Sequence, residues 1–588
     1  MEGSAATTRH RVTASTLAEA FRDTVARVPD RVAVRTLDDS TSLTWAQLRD
    51  RSDALAGGLA ALGVKRGDTV ALMFSNRPDF HVADLAVMTL GATPFSIYQT
   101  LAPNEIDYVV SDAGAKVAIV EQQYLEPFLA AGLDLEHVIV VDAPDDLPEG
   151  LLRIEDVEGS NPDFDIEASW RQIEPDDLLT LIYTSGTTGP PKGVQLTHSN
   201  LISAIGTVDE IVDFPDAARV ISWLPSAHVA ERNAHHYIPI AYGMTVTTCD
   251  NPREILSYIP QVKPSWFFAV PRIWEKLKAG LETMVASQPP EQQEQVNAAL
   301  AAAREKVRLE QAGEPVPAEL AATVAAADEA IFAPIRAQFG FDEIAAVNVG
   351  AAPTPHEVLE FFHAIGIPLA ELWGMSETCG AGTVNPPERI KIGTVGPPAP
   401  GVEIKLADDG EVLVRGGIVM AGYRNLPEKT AETIDAEGWL ATGDIGEIDA
   451  DGYLKIVDRK KELIINAAGK NMSPANIESE LKAASPLIGQ ACAIGDRRPY
   501  NTALIVLDAD FAPMWAAQHG IEDTSLEALA GNDAIRAEVQ KGVDLANGRL
   551  ARVEGIKKFT IVPGDWLPGG DELTPTMKLK RKPIAEKY

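Results

Sequence analysis

The segment Tyr183-Thr-Ser-Gly-Thr-Thr-Gly-Pro-Pro-Lys-Gly193 constrains this chain more than any other stretch. It follows Leu178-Leu179-Thr180-Leu181-Ile182, a pattern that predicts a buried strand. A strand that leads into Gly, Ser and Thr turns successive backbone N–H groups toward one point, which makes a nest for phosphate oxygens. The candidate phosphate contacts are Thr184, Ser185, Gly186, Thr187, Thr188 and Gly189. Lys192 adds a point charge suited to a polyphosphate. The segment is not a Walker A loop, whose lysine directly follows glycine and precedes Ser or Thr; here Lys192 follows Pro191 and precedes Gly193. A flexible linker is the plain alternative, and two prolines, a fixed lysine and the preceding strand fit it poorly.

Composition narrows the partners. Fifty-one Lys and Arg against 85 Asp and Glu leave a net charge of −34 over 588 residues. So acidic a surface repels phosphate backbones, which argues against nucleic acid as a partner of the whole chain and against adsorption to an anionic membrane, although a local patch could still do either. Cys249, Cys379 and Cys492 are the only cysteines. They form neither a disulfide framework nor a zinc spacing, and a reducing, cytoplasmic setting is expected, with a peripheral membrane association left open. Met1–Arg11 lacks the apolar core of a signal peptide, and no run approaches 18 apolar residues, so no membrane-spanning helix is expected.

At roughly 100–200 residues per domain, several domains or one large one with an appendage are expected. The first 180 residues alternate helical and strand-like segments. Leu48, Leu55, Leu59 and Leu62 fall on one helical face, Gly63 stands where that helix would end, and Thr69 to Phe74 reads as a strand. This rhythm predicts an α/β fold, a large sheet with helices packed on it. Residues 275–340 are rich in Ala, Glu and Gln and read as a packed helical insertion, broken near Pro289-Pro290 and Pro315 to Pro317. A role for it in shaping a substrate tunnel is the minority reading. From Gly401 short strands and turns dominate, with Asp408-Asp409-Gly410 and Asp451-Gly452 as turn signals. The charged run Asp458-Arg459-Lys460-Lys461-Glu462 reads equally as a solvated turn or as a hinge before a small C-terminal domain.

Other motifs follow in order: Leu224-Pro225-Ser226-Ala227-His228, Gly350-Ala351-Ala352-Pro353, Trp373-Gly374-Met375-Ser376-Glu377, Thr442-Gly443-Asp444, the 458–462 run, and Leu573-Thr574-Pro575-Thr576-Met577-Lys578. With the loop at 183–193, this set resembles the adenylate-forming superfamily, which contains acyl-CoA synthetases, peptide-synthetase adenylation domains and firefly-type luciferases. The resemblance covers about Thr16 to Lys587. It implies a large multi-layer N-terminal domain, residues 1–457, with α/β subdomains and a β-rich portion, and a small mobile α+β domain, residues 458–588, pivoting at Asp458. It implies that Gly350, Ala351, Ala352, Pro353, Trp373, Gly374, Met375 and Ser376 surround the adenine and α-phosphate of ATP, that Glu377 holds Mg²⁺, and that Asp444, Ile456 and Arg459 flank the ribose. It further implies that His228 lies between the carboxylate site and the thiol channel, that Gly469 and Lys470 line the CoA channel, and that Lys578 is the catalytic lysine, with Lys580 two residues away.

The residue types suit these roles. An aromatic stacks on adenine, a carboxylate accepts from ribose hydroxyls, and Mg²⁺ prefers oxygen ligands together with substrate phosphates. The family often has Gly where this chain has Ala351 and Met577; a methyl at 351 is tolerable only if the backbone angles there are ordinary. Gly374-x-Ser376-x-Thr378 misses the hydrolase pattern Gly-x-Ser-x-Gly by its final residue, which argues against a serine hydrolase. His235-His236 lacks metal-site companions and is expected at a surface or in a pocket. Ala269-Val270-Pro271-Arg272-Ile273-Trp274-Glu275-Lys276 and Leu372-Trp373-Gly374-Met375-Ser376-Glu377 are similar to bacterial long-chain acyl-CoA synthetases and bubblegum-type relatives. The implied reaction consumes ATP, CoA and a hydrophobic carboxylic acid with Mg²⁺, and a long fatty acid is the first choice. A polycyclic, terpenoid or aryl acid stays open, as does a carrier protein in place of CoA. Trp223, His228, Val229, Trp266, Phe267, Phe268 and Trp274 are candidates for the apolar pocket, with a place in the core the plain alternative for most of them.

Overall fold

The computed structural model describes residues 12–184, 190–465 and 471–588. Its N-terminal part is built on a parallel sheet in the order Thr93–Ser96, Thr69–Met73, Val117–Glu121, His137–Val141, Leu152–Arg153. The helices Pro78–Thr89, Pro103–Ala113 and Leu125–Ala130 return the chain between strands, as parallel pairing requires. The strand Thr69–Met73 is buried at every position, which is why it reads as one apolar run. The helix Trp45–Ala61 starts with a capping box between Thr44 and Gln47 and buries Leu48, Leu55 and Leu59. Gly63, at φ +91°, takes the chain out of it in a left-handed turn.

A second sheet runs Arg219–Ser222, Thr245–Thr248, Val32–Thr36, Ser42–Thr44, and a third Trp266–Ala269, Ala346–Val349, Leu369–Trp373, Thr383–Val384. The proposed pocket aromatics sit largely in the core behind the third sheet. Phe267 and Trp274 are fully buried, with ring centroids 5.7 Å apart, and the Trp223 and Trp266 indoles donate to Phe268 O and Asn348 Oδ1. The insertion forms helices Pro271–Ala286, Pro290–Gln311, Ala318–Ala327 and Ala333–Gln338, with its breaks at the expected prolines. Residues 402–459 fold as an antiparallel sheet of Val402–Leu406, Glu411–Gly416, Leu440–Ile448 and Leu454–Arg459.

The C-terminal part has its own core, where Ile477, Leu481, Ile505, Ile535, Val539 and Phe559 pack between the sheet Ile488–Ile494, Asn501–Leu507, Ile556–Val562 and the helices Pro474–Ala484 and Asp533–Arg549. It touches the rest of the chain through polar contacts. Arg272 pairs with Asp508, Lys276 Nζ with Asp510 at 2.9 Å, and Arg549 with Glu357 at 2.5 Å. Each partly exposed pair contributes at most about 1 kcal/mol, so this polar contact is weak. Among the described residues no helix is long and apolar enough to cross a membrane. The double variant Arg272→Ala/Arg549→Ala is expected to keep its far-ultraviolet circular dichroism and to show a larger radius of gyration in solution scattering. An unchanged radius would mean that apolar packing holds the two parts together.

Candidate active site

The strand Leu369–Trp373 delivers the chain to Gly374 and then to a single tight turn, Ser376–Thr378. A Cβ on Gly374 would lie 2.4 Å from Gly380 O, so the glycine is required by the approach of the chain to itself. Met375 N donates to Thr378 Oγ1 at 3.1 Å, Cys379 turns the chain at φ +54°, and Cys379 O accepts from Asn233 Nδ2 at 2.9 Å. This turn buries Glu377 to 6% exposure. Met420 N donates to Glu377 O at 2.9 Å, and the Tyr423 hydroxyl donates to Glu377 Oε1 at 2.7 Å.

Tyr423 also meets the phosphate loop. The strands Leu178–Thr184 and Lys192–Thr197 pair as a hairpin, and Gly422–Tyr423 adds to its outer edge with Tyr423 opposite Val194. The hairpin brings Thr184 and Lys192 face to face. Lys192 Nζ stands 4.1 Å from the centroid of the Tyr423 ring, a cation–π contact. Burial lowers the Lys192 pKa, while Glu377 pulls it upward. Ser185, Gly186, Thr187, Thr188 and Gly189, and likewise Gly469 and Lys470, lie outside the described residues.

Asp444 is 4% exposed and held from both sides: Trp373 Nε1 donates to Oδ2 at 2.8 Å, and Arg459 Nε reaches Oδ1 at 2.7 Å. Burial raises its pKa and Arg459 opposes the rise. A carboxylate offers about four lone-pair sites, so acceptor capacity remains for a diol. Ile456 lies on the same strand as Arg459, opposite Gly446, and packs on the main core. Asp458 accepts from Ser473 Oγ at 2.5 Å and Ala475 N at 3.2 Å, which ties the strand end to the start of the helix Pro474–Ala484.

Lys578 comes from a turn between Leu573 and Leu579, which bridge antiparallel; Lys578 N donates to Thr574 Oγ1 at 3.0 Å. Its side chain is exposed, with Arg459, Asp444 and Glu377 near enough to act on its charge. Desolvation there lowers its pKa and Arg459 adds to the fall, while Asp444 and Glu377 act in the opposite sense. Lys580 is spoken for, donating through Nζ to Gly570 O at 2.9 Å. His228 feels the same field: burial and the Lys578 charge push its pKa down to about 4. The ring is therefore neutral at pH 7. Its Nδ1 accepts from Ala230 N at 3.2 Å, which assigns the proton to Nε2.

Two expectations need correction. Ala351 is not in ordinary backbone: it follows Gly350 at the end of the strand Ala346–Val349, with φ +70°. Met577 has φ +62°. At both positions the chain keeps a glycine conformation without the glycine, at about 1–3 kcal/mol each. Ala352 and Pro353 are exposed beside Ala351, and Pro353 O accepts from Ser479 Oγ at 3.4 Å. Second, His235 and His236 are neither at the surface nor in an open pocket. They are 1% and 2% exposed. His235 pairs with Glu231 at 2.6 Å, and His236 bridges Asp84 at 3.0 Å and His81 at 2.8 Å. A π-helical turn, Asn233–Tyr237, folds them inward.

The fit to Mg²⁺ rests on Glu377. No group of three metal-ligating side chains exists among the described residues, and the Tyr423 bond engages a single oxygen of the Glu377 carboxylate. One carboxylate plus substrate phosphates is the set Mg²⁺ accepts, so the ion fits when it arrives with a nucleotide. Tyr423 and Asn233 were not legible as site residues. Gly422-Tyr423 is an ordinary strand dipeptide, and nothing in the chain's order announces that it lands between Lys192 and Glu377.

Ala351→Gly is expected to melt at or above the parent temperature, and Ala351→Val below it, because a β-branched residue fits a left-handed backbone worst; a calorimetric scan of the three proteins decides. Because His228 is neutral well below pH 6.5 and Lys578 titrates below the usual lysine value, adenylation is expected to show no inflection near pH 6.5 from His228. It should weaken on the alkaline side before the pH at which an ordinary lysine loses its proton. An inflection near 6.5 that His228→Ala removes would contradict the assignment.

Residues 21–424 match the model of the AMP-binding enzyme family and residues 461–588 that of the AMP-binding enzyme C-terminal domain. A Mycobacterium tuberculosis protein named fatty-acid–CoA ligase fadD11 is 51% identical over 72% of this chain and 74% of its own length. The long-chain-fatty-acid–CoA ligase FadD15 of Mycobacterium bovis is 34% identical over 95% of this chain and 93% of its own. Among solved structures, the adenylation domain of a carboxylate reductase from Mycobacterium chelonae superposes with a TM-score of 0.76 at 19% identity, covering 97% of this chain and 90% of that one. It shares the mixed α/β fold with a large N-terminal and a smaller C-terminal domain. The chain belongs to the AMP-binding enzyme family.

Proposed function

We propose that this protein is an ATP-dependent, AMP-forming acyl-CoA ligase whose acid substrate is hydrophobic, with a long-chain fatty acid as the first choice. The observation that carries the reading is the convergence on one cleft of Lys578, Glu377, Asp444 and His228, drawn from segments up to 350 positions apart (578 − 228). The names of the relatives support the acid class.

The chemistry follows from the poor reactivity of a carboxylate, whose leaving group would be oxide. One carboxylate oxygen attacks the α-phosphorus of ATP, the bond to the β-phosphate oxygen breaks, and pyrophosphate leaves. The product is a mixed anhydride, the acyl adenylate. Charge builds on the phosphoryl oxygens, so catalysis is positioning plus fixed cations. Lys192 and Lys578 are those cations on the chain, and Glu377 is placed to hold Mg²⁺, which supplies further charge neutralisation. Asp444 accepts from the ribose hydroxyls, with Trp373 and Arg459 fixing its orientation. The Trp373 ring faces adenine. His228 is a neutral Nε2–H donor for the acyl carboxylate. In the second half-reaction the CoA thiol attacks the acyl carbonyl, loses its proton to solvent, and AMP leaves.

Both half-reactions share the cleft if the small domain turns. We place the boundary at Asp458, with residues 1–457 as the large domain, and assign Gly469 and Lys470 to the thiol channel after the turn. The weak polar contact between the two parts favours such a motion. A cytoplasmic setting fits the three free, buried thiols.

The test is a panel of fatty acids of graded length, aryl acids and polycyclic acids, with Mg-ATP and with or without CoA, following pyrophosphate, AMP and thioester. Pyrophosphate release that needs a long acid, with thioester only when CoA is present, is expected. Adenylate without thioester would point to a carrier protein, and turnover confined to ring acids would replace the fatty-acid assignment. Lys578→Ala is expected to slow adenylation by about 10²–10³-fold while sparing thioester formation from a supplied acyl adenylate. Equal loss of both would remove Lys578 from its role.

A further inference from the structure

We propose that Tyr423 is a positioning residue for the adenylation centre: one side chain sets both the carboxylate that receives the divalent cation and the lysine of the phosphate loop. The proposal rests on the ATP-site reading above. Tyr423 is 5% exposed, with the Lys192 ammonium 4.1 Å over its ring and its hydroxyl 2.7 Å from Glu377 Oε1. Its backbone is fixed from both sides. Ala421 N and Arg424 N donate to Gln195 O at 3.0 Å and Gly193 O at 2.8 Å, on the Lys192 strand, while Met420 N donates to Glu377 O at 2.9 Å. Tyr423 N donates to Thr430 Oγ1 at 2.9 Å, which anchors the start of the following helix Pro427–Thr433 to the same point.

The two functions of the side chain are separable. The hydroxyl donates to one oxygen of Glu377, which selects a rotamer and leaves the rest of the carboxylate to meet an ion; groups that orient a metal-binding residue this way tune metal affinity. The ring is a flat, negative face under a cation, and it limits where Lys192 can place its charge. Without the hydroxyl, Glu377 loses its fixed orientation while Lys192 keeps its platform. Without the ring, both are released.

The experiment measures binding with no acid substrate present, so it does not depend on which acid is activated. Mn²⁺ is titrated by electron paramagnetic resonance into the whole protein saturated with the non-hydrolysable analogue α,β-methylene-ATP, and analogue binding in EDTA is measured by calorimetry. Tyr423→Phe is expected to weaken Mn²⁺ roughly 10-fold while leaving metal-free analogue binding unchanged. Tyr423→Leu is expected to weaken both. In the double variant Tyr423→Phe/Glu377→Gln, the tyrosine change is expected to have no further effect on Mn²⁺. Melting curves check that each variant is folded. Tyr423→Phe binding Mn²⁺ as tightly as the parent, in a protein where Glu377→Gln weakens it, would overturn the proposal. If Glu377→Gln itself leaves Mn²⁺ binding untouched, the metal assignment falls instead, and with it the premise. Should Tyr423→Phe fail to fold, the cycle is run through Lys192→Met, which is expected to weaken metal-free analogue binding in the parent and not in Tyr423→Leu; an equal effect in both proteins would overturn the ring's part.

Discussion

The site depends on a buried carboxylate standing near two lysines. Glu377 is out of solvent, and Lys192 and Lys578 lie within its field. Charges in such surroundings interact far more strongly than in water, and arranging them in advance is what accelerates a reaction that builds negative charge on phosphorus. The arrangement is expensive to hold, and the fold holds it with backbone. A glycine that cannot be replaced, a left-handed Cys379 and an edge strand at Gly422–Tyr423 confine the carboxylate to one place.

Lys578 is held differently. Lys578 sits on a short turn of the C-terminal part, and that part meets the rest of the chain through ion pairs and a few hydrogen bonds. Tight local geometry and a weak interface belong together. The first gives Lys578 one pose when the parts are together, and the second leaves the parts weakly held, as the proposed two-step use of the site requires. The left-handed Met577 just before it stores strain at the point where the pose is set.

Much of this was legible in the order of the residues. The strand-to-Gly/Ser/Thr transition at 178–193, the Trp-Gly-Met-Ser-Glu run and the final lysine each carry a chemical reason in a few adjacent positions. The helix at 45–61 and the broken helical insertion follow from apolar spacing and prolines. What did not show is whatever depends on distant segments meeting. Tyr423 is unremarked in its own neighbourhood, and its contacts exist only because the Gly422–Tyr423 strand docks beside Lys192. His236 read as a surface or pocket residue because its partners, Asp84 and His81, lie some 150 residues earlier. Trp274 and Phe267 read as pocket linings, and packing placed them in the core.

The central claim is that a carboxylate oxygen attacks the α-phosphorus of ATP. The direct test is to supply a long-chain acid labelled with ¹⁸O in its carboxylate, together with Mg-ATP and CoA, and to read the label by mass spectrometry. The account predicts one ¹⁸O in the phosphate of AMP and none in pyrophosphate, because the bridging oxygen stays with phosphorus when the thiol attacks carbon. Unlabelled AMP, or label in pyrophosphate or orthophosphate, would contradict it.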